Sequence, residues 1–230
     1  EPFGSACRSA SAAAAVDAGY ESPRGDATLP LITQIVTDLI TGAVNPRAFG
    51  AVGDGVTDDT AAFTAAIEAA NGYPIDIGPH TYVLDNLVVS ATDVHLCGCG
   101  TLKHKAASAN YMIQASGASA SFRAHGLTFD GNRTNQSSRT TMLLMSGLAT
   151  TEFTYCEFTA SYAVALYLTG ALGHVVVDHC EFNDMAEHGG TLNQTSFCLY
   201  LVATSAKLVS ATYNRVLGNT PANPDRASGA

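Results

Sequence analysis

Five short segments of the chain share one pattern of apolar and polar positions. In each, two apolar or small residues are separated by one residue, and a second such pair follows after a short bend. The first pairs begin at Val94, Phe122, Thr151, Val175 and Val209, so the segments recur at intervals of 28, 29, 24 and 34 residues. The second pairs are Cys99 and Thr101, Leu127 and Phe129, Cys156 and Phe158, Cys180 and Phe182, and Asn214 and Val216. Alternation with a period of two predicts short β-strands joined by bends rather than by hairpins.

A repeat of this length cannot bury its own apolar side. Stacked coils can do so, because each coil covers the apolar residues of the next along a common axis. We therefore predict an all-β fold, a parallel β-solenoid. The alternative is a β-sandwich of similar strands, but the Asn-Gly hairpin signal is scarce, and Asn71-Gly72 follows a predicted helix.

The stretch from Phe49 to Ala70, "FGAVGDGVTDDTAAFTAAIEAA", begins with glycines and aspartates and predicts an α-helix from about Asp58 to Ala70. Thr57 or Asp58 can serve as its N-cap, and the acidic residues at its start suit the helix dipole. Its apolar positions recur at steps of three and four residues: Phe63, Ala66, Ile67 and Ala70. The first coil of a solenoid exposes unpaired backbone, so we expect this helix to cover it. A calcium loop is disfavoured, because the glycine and final glutamate of that motif are missing.

Composition excludes several classes of function. The chain of 230 residues has 13% charged and 47% hydrophobic residues, a net charge of -9 and a pI near 5.0. An acidic protein is a poor partner for nucleic acid or an anionic membrane, so neither is expected. No apolar run is long enough for membrane insertion, and no signal peptide is visible.

The six cysteines do not have the spacing of a zinc site. They are Cys7, Cys97, Cys99, Cys156, Cys180 and Cys198. We interpret them as small apolar core residues, with disulfide bridges as the alternative.

Four segments resemble the N-terminal part of the pectate-lyase-like superfamily. They are "AFGAVGDGVTDDTAAFTAAIEAA", "YPIDIGPHTYVLDNLVV", "VHLCGCGTLKHK" and "HGLTFDGNRTN", and the resemblance spans about residues 47–219. It implies a right-handed parallel β-helix with an N-terminal capping helix. It does not determine an activity, because the superfamily includes lyases, hydrolases, epimerases and phage tailspikes.

Two activities of that superfamily are not expected here. The segment Leu127 to Arg133 is similar to the mannuronan epimerase branch, in which a Tyr-Gly-Phe-Asp-Pro-His segment supplies the catalytic Asp and His. The matching place is Tyr162 to Tyr167, "YAVALY", where only the first Tyr remains. Metal-dependent pectate lyase chemistry lacks its cluster of Asp residues on adjacent coils. We therefore expect neither a cofactor nor a metal.

The N-terminal region resembles the layout of trimeric phage tailspikes. An Ala- and Ser-rich arm precedes "LPLITQIVTDLITG", in which Ile32, Ile35 or Val36, and Leu39 form a short apolar stripe. The stripe suits either association between neighbouring helices or a single helix packed on the β-helix. We expect two regions: residues 1–45, an arm for virion attachment or trimerisation, and residues 46–230, a β-helix incomplete at its C-terminal end.

Stacking would place candidate chemistry at one corner of the coils. Glu157 and Glu181 should point outward on neighbouring coils at the strand spacing of about 4.8 Å, with Arg215 one coil further. Retaining glycosidases hold two carboxyl groups about 5 to 5.5 Å apart, so the glutamates are candidate catalytic residues. Arg215 and the bend residues Tyr155, His179 and Tyr213 are candidate substrate-binding residues. The alternative is an exposed Glu-Glu-Arg ladder whose charges offset one another.

The resemblance favours a phage tailspike or tail-fibre subunit located in the virion. It implies a homotrimer that attaches to other virion tail proteins through its arm and binds a bacterial surface polysaccharide. Any cleavage would make it a polysaccharide depolymerase, a glycoside hydrolase or lyase, whose catalytic residues can lie outside this segment. Two alternatives stay open: a secreted monomeric lyase or hydrolase, and a purely structural virion component.

Overall fold

The structure, a computed structural model, describes residues 42–90, 92–136, 140–184 and 197–217. The predicted Ala- and Ser-rich arm and the apolar stripe fall within residues 1–41, so they lie outside the described residues. The division into an arm and a β-helix therefore stays a prediction.

Among the described residues, one α-helix, α1 (Thr60–Ala70), is present, and it covers the first coil as predicted. Its buried residues are those of the predicted apolar face: Phe63, Ala66, Ile67 and Ala70. The Phe63 ring meets the ring of Tyr82, in the first complete coil, edge to face with 5.0 Å between centroids. Asn71, in the left-handed conformation, ends the helix.

The predicted N-cap is wrong by one or two residues. Asp59 occupies the N-cap position but makes no capping bond with its side chain, whereas Asp58, one of the two predicted caps, accepts a hydrogen bond from the Thr60 backbone N–H at 3.0 Å. The Asp59 carboxylate instead accepts hydrogen bonds from the backbone N–H groups of Val52, at 2.6 Å, and Gly53, at 3.3 Å. The buried aspartate therefore fixes the loop before the helix rather than the helix start.

Behind the helix, the chain winds in coils of three strands, and each strand pairs in parallel with the strand one coil away. The first face contains β2 (Pro74–Asp76), β5 (Val94–Cys97), β8 (Ser121–His125), β11 (Thr150–Thr154) and the second halves of β13 (Val164–Asp178) and β15 (Phe197–Thr212). The second face contains β1 (Asp54–Asp58), β3 (Thr81–Leu84), β6 (Thr101–His104), β9 (Thr128–Asp130), β12 (Glu157–Thr159), β14 (Glu181–Asn183) and β16 (Arg215–Leu217). The third face contains β4 (Leu87–Ser90), β7 (Ile113–Ser116), β10 (Leu143–Ser146) and the first halves of β13 and β15. In the part of the chain that the structure describes, two short 3-10 helices, Pro46–Phe49 and Arg133–Asn135, lie outside these faces.

The register of the first face confirms the predicted repeat. Val94 pairs with Phe122, Phe122 with Thr151, Thr151 with Val175, and Val175 with Val209. The intervals read from the sequence are therefore the true lengths of successive coils.

On the second face the prediction is wrong in one coil. The residue that continues the inner column Phe129, Phe158, Phe182 is Leu102, not Thr101. Leu102 is buried, whereas Thr101 is half-buried. The bend before β6 has three residues, 98–100, whereas the later bends have two. The extra residue moves the inward-facing positions of β6 one residue further along the chain than the repeat predicts.

Aromatic rings stack along the inside of the second face. Phe129 and Phe158 are nearly parallel with centroids 5.1 Å apart, and Phe158 and Phe182 follow at 4.9 Å. All three rings are buried. Each coil thus covers the apolar residues of its neighbour, and the predicted parallel β-helix is confirmed.

The described cysteines comprise four free thiols and one disulfide-bonded residue. Cys156 and Cys180 are buried free thiols in adjacent coils, as predicted, and burial raises the pKa of the Cys156 thiol. Cys97 and Cys198 are free and half-buried. Cys99 is disulfide-bonded, so the interpretation as an unpaired apolar residue is wrong there.

Candidate functional site

The predicted site residues lie at the corner where the first face turns into the second. Tyr155, His179 and Tyr213 each occupy the first position of the two-residue bend in successive coils. The backbone N–H of Tyr155 donates to the Asp178 carbonyl, and that of His179 donates to the Thr212 carbonyl. The bends are therefore held in register by the same kind of bonds that hold the strands.

The backbone at this corner has a positive φ in each described coil from the second onward. In the second and third coils the position is glycine, Gly98 and Gly126, and a Cβ on Gly126 would lie 2.7 Å from the Gly98 carbonyl oxygen. Tyr155, His179 and Tyr213 adopt the same conformation with φ of +54°, +51° and +52°. A side chain there costs about 1 to 3 kcal/mol of local strain. In the last three coils, the residues with a strained backbone at this corner are therefore the ones that carry aromatic rings.

These rings form a continuous stack on the outside of the coils. Tyr155 and His179 stack at 4.8 Å between centroids with planes 20° apart, and His179 and Tyr213 stack at 4.8 Å with planes 27° apart. His125 meets Tyr155 edge to face at 5.5 Å. We call His125, Tyr155, His179 and Tyr213 the aromatic ladder. Tyr155 is 46% exposed and Tyr213 78% exposed, so the stack faces solvent.

Hydrogen bonds fix both imidazole rings in the ladder. His125 Nδ1 lies 2.8 Å from the Thr154 hydroxyl, and His179 Nδ1 lies 2.8 Å from Asp178 Oδ2. Asp178 also accepts a hydrogen bond from the Thr212 hydroxyl. The Thr212 hydroxyl, and after it the His179 ring, hold the pKa of Asp178 below its usual range. A carboxylate accepts and cannot donate, so His179 Nδ1 carries the proton and Nε2 is left as the acceptor of the neutral ring.

Beside the ladder runs the predicted column of charged residues. Glu157 pairs with Glu181 across adjacent strands, and Glu181 pairs with Arg215. Glu157 Oε1 accepts from Asn183 Nδ2 at 2.8 Å, and Glu181 Oε1 accepts from Arg215 Nη1 at 2.8 Å. The structure thus brings together all six residues singled out from the sequence.

Two kinds of chemistry are compatible with this column. Glu157 and Glu181 are paired on neighbouring strands, and two carboxyl groups about 5 to 5.5 Å apart are what a retaining glycosidase requires. The contacts with Asn183 and Arg215 are those of a hydrogen-bonded ladder, in which both carboxylates act as acceptors. The catalytic role of Glu157 and Glu181 therefore stays a prediction.

Sequence reasoning missed three residues of the corner: His125, Asp178 and Thr212. Each is the last residue of its strand on the first face and lies directly before the bend, in one register column. The repeat could have revealed them, because the residue directly before each predicted bend ends a strand and lies beside the bend residue.

The residues described by the structure contain no group of three or more His, Cys, Asp or Glu side chains placed to hold a metal ion. Within the same ranges, no helix has the length and apolar character needed to cross a membrane.

Comparisons with known proteins match most of the chain at the level of family and fold. The family model described as "Rhamnogalacturonase A/epimerase, pectate lyase-like" matches residues 43–216. Among solved structures, ORF18 of Geobacillus virus E2 superposes with a TM-score of 0.52 at 15% identity. That superposition covers 86% of this chain and 44% of the other, and shows a shared fold alone.

Two curated relatives match shorter stretches. The chain is 34% identical over 70 residues to the pre-neck appendage protein of Bacillus phage phi29, which covers 30% of this chain and 8% of that protein. It is 53% identical over 57 residues to "Depolymerase 1, capsule K30/K69-specific" of Klebsiella phage K5-2, which covers 24% of this chain and 7% of that protein. The chain therefore aligns with less than a tenth of the length of these relatives.

Proposed function

The chain belongs to the rhamnogalacturonase A/epimerase, pectate lyase-like family, as its sequence indicates, and on that premise we propose its function. It is the β-helix segment of a phage tailspike or tail-fibre subunit, located in the virion, that binds a bacterial surface polysaccharide. The names of the relatives, a phage pre-neck appendage protein and a phage capsule depolymerase, support the assignment to a phage tail protein.

The exposed aromatic ladder is the observation that supports a glycan-binding surface most directly. The rings of Tyr155, His179 and Tyr213 stack over successive coils, both tyrosines are exposed, and carboxylate and guanidinium groups lie beside them. Aromatic rings and hydrogen-bonding side chains at regular spacing suit a chain of sugar rings. The strained backbone under the rings also favours a function, because strain of this kind concentrates at binding sites.

Binding can be tested with one variant of the ladder and one matched control. Tyr213→Ala removes the most exposed ring of the ladder, whereas Tyr73→Ala removes a ring that is 65% exposed between α1 and β2. We expect wild type and Tyr73→Ala to bind a purified surface polysaccharide equally, and Tyr213→Ala to bind about tenfold more weakly. Equal binding by all three proteins would remove the ladder from the proposed surface.

Subunit assembly is a second part of the proposal. We propose that the subunits form a homotrimer and attach to other virion tail proteins through the N-terminal arm. Solution mass of the protein from its source distinguishes the alternatives. A stable trimer supports the tailspike, whereas a monomer that releases oligosaccharides would indicate a secreted enzyme. A trimer with no glycan binding, whose arm is buried against another virion protein, would indicate a structural component.

Depolymerisation is the second candidate function, favoured by the similarity to a phage depolymerase and by the Glu157–Glu181 pair. Glu157→Gln and Glu181→Gln should each lower the release of reducing ends by about a hundredfold or more, because each removes an acid–base or nucleophilic group. Glu152→Gln is the matched control, since Glu152 lies 3.6 Å from Arg123 in a different exposed column. Unchanged turnover in both glutamine variants would eliminate this pair.

A further inference from the structure

In the aromatic ladder, stacking covers the ring faces of Tyr155 and His179 and leaves their edges for contact with a ligand. Each face of the His179 ring is covered, by Tyr155 on one side and by Tyr213 on the other. Tyr155 has His179 on one face and the edge of His125 against it. A sugar cannot stack on a face that is already occupied. Of the three stacked rings, only Tyr213 has a face without a described ring against it.

The exposed edges carry polar atoms in a regular row. The Nδ1 atoms of His125 and His179 are held by Thr154 and Asp178, and neither Nε2 atom has a hydrogen-bond partner among the described residues. Among the described residues, neither the Tyr155 nor the Tyr213 hydroxyl has a hydrogen-bond partner. Phenol oxygens and imidazole nitrogens thus alternate along the axis at the coil spacing, and each is a strong hydrogen-bonding group.

Charge at this corner disfavours an acidic ligand. Three carboxylates, Asp178, Glu157 and Glu181, lie at or beside the ladder, and the neighbouring cation, Arg215, is already paired with Glu181 at 2.8 Å. The whole chain carries a net charge of -9. A polyanion would meet a negative local potential along its length.

We propose that the ladder binds an uncharged, hydroxyl-rich polysaccharide that lies parallel to the β-helix axis, and that it does so through hydrogen bonds to ring edges. This inference rests on the proposed glycan-binding function and adds the class of glycan and the mode of contact. Sugar hydroxyls donate to His179 Nε2 and exchange hydrogen bonds with the hydroxyls of Tyr155 and Tyr213. Successive sugar rings meet successive coils.

Phenylalanine variants separate edge contacts from face contacts. Tyr155→Phe and Tyr213→Phe keep the ring and its stacking and remove only the hydroxyl, whereas Tyr213→Ala removes the ring. Tyr73→Phe is the control, an exposed tyrosine in the first coil. Each Phe variant of the ladder should weaken binding by about three- to tenfold, the range for one neutral hydrogen bond. Tyr73→Phe should bind like wild type.

The probes are neutral polymers, namely dextran, galactomannan and oligomers of N-acetylglucosamine, and carboxylated polymers, namely alginate and polygalacturonate. We expect binding to a neutral polymer that does not change between low and high salt, because no ion pairs form. Full binding by both Phe variants, with loss only in Tyr213→Ala, would show face stacking and overturn the edge contacts. Tighter binding to alginate or polygalacturonate, weakened by salt, would overturn the neutral class.

Failure of the proposed function itself gives a different result. In that case the wild-type protein binds neither these polymers nor purified bacterial surface polysaccharides, and the inference fails with it. Binding of wild type to a surface polysaccharide, unaffected by any ladder variant, keeps the function and rejects the ladder as its site.

Discussion

Acidification should destabilise the protein through one buried histidine. His104 ends β6 and pairs with Leu84 of the neighbouring coil. It has no exposed surface, and neither ring nitrogen has a partner with ordinary hydrogen-bond geometry among the described residues. Burial lowers the pKa of His104 from 6.5 to about 4, and the nearby Asp85 carboxylate and the backbone of Asn110 offset only part of that effect. The folded protein therefore holds this ring neutral at pH values where the unfolded chain protonates it.

The direction of the pH dependence follows from that difference. Because the folded pKa is the lower one, the unfolded chain binds the proton first as the pH falls below 6.5. The free energy of unfolding then decreases until about pH 4, below which both states are protonated and no more is lost. At about 1.4 kcal/mol for each pKa unit, the full loss is about 3 kcal/mol.

Urea unfolding followed by circular dichroism at about pH 7.5 and about pH 4.5 measures this loss, of which about 2.5 kcal/mol should fall in that interval. His104→Leu should remove it, because leucine already occupies the paired position in the neighbouring coil. His174→Gln, a change of an exposed histidine, should keep the wild-type dependence on pH. The same loss between the two pH values in wild type and His104→Leu would refute the reasoning. So would a severe loss of stability at neutral pH in His104→Leu, because it would indicate a ring with essential partners.

Three further predictions concern the free energy of unfolding, and each can be measured by urea denaturation. Thr151 is buried, and its hydroxyl has no hydrogen-bond partner among the described residues. Thr151→Val should therefore raise the free energy of unfolding by about 1 kcal/mol. A decrease would mean that the hydroxyl does form a hydrogen bond in the folded protein. Phe158→Ala should cost about 3 to 5 kcal/mol because the ring lies inside the buried stack, whereas Phe49→Ala, at a ring 38% exposed, should cost under about 1 kcal/mol. Tyr155→Gly should be more stable than Tyr155→Ala by about 1 kcal/mol, since only glycine relieves the left-handed backbone, and the opposite order would contradict strain at that bend.

The sequence predicts the first face well because apolar and polar residues alternate regularly along its strands. Phe122, Thr151, Val175 and Val209 alternate with outward residues that are mostly polar, so the period of two is visible and the register follows. The second face is predicted except where the bend before β6 gains a residue. A single inserted residue exchanges inward and outward positions, and the alternating pattern alone does not reveal it.

The third face could not be predicted from alternation. In β4, "LVVS", the outward residue Val88 is as apolar as its inward neighbours and is 53% exposed. An apolar residue in an outward position hides the period of two. The lengths of the loops before β7 and β10 also differ, so the strands of this face do not recur at one fixed distance from the others.

The candidate site shows a similar division. Stacking of coils predicts that Glu157, Glu181 and Arg215 form a column, because register alone decides which residues are neighbours. It does not predict that Tyr155 and His179 adopt a conformation that other coils reserve for glycine. Nor does it reveal that Asp178 holds the His179 ring, because that bond depends on side-chain rotamers.

Since each coil between Val94 and Val177 repeats the contacts of the one before, a whole turn can be gained or lost without repacking its neighbours. The length of such a β-helix is therefore a quantity that evolution can adjust in single steps, by duplicating or deleting about two dozen to three dozen codons at a time. Proteins that must reach a fixed distance from an anchored base can tune that reach independently of the surface they present.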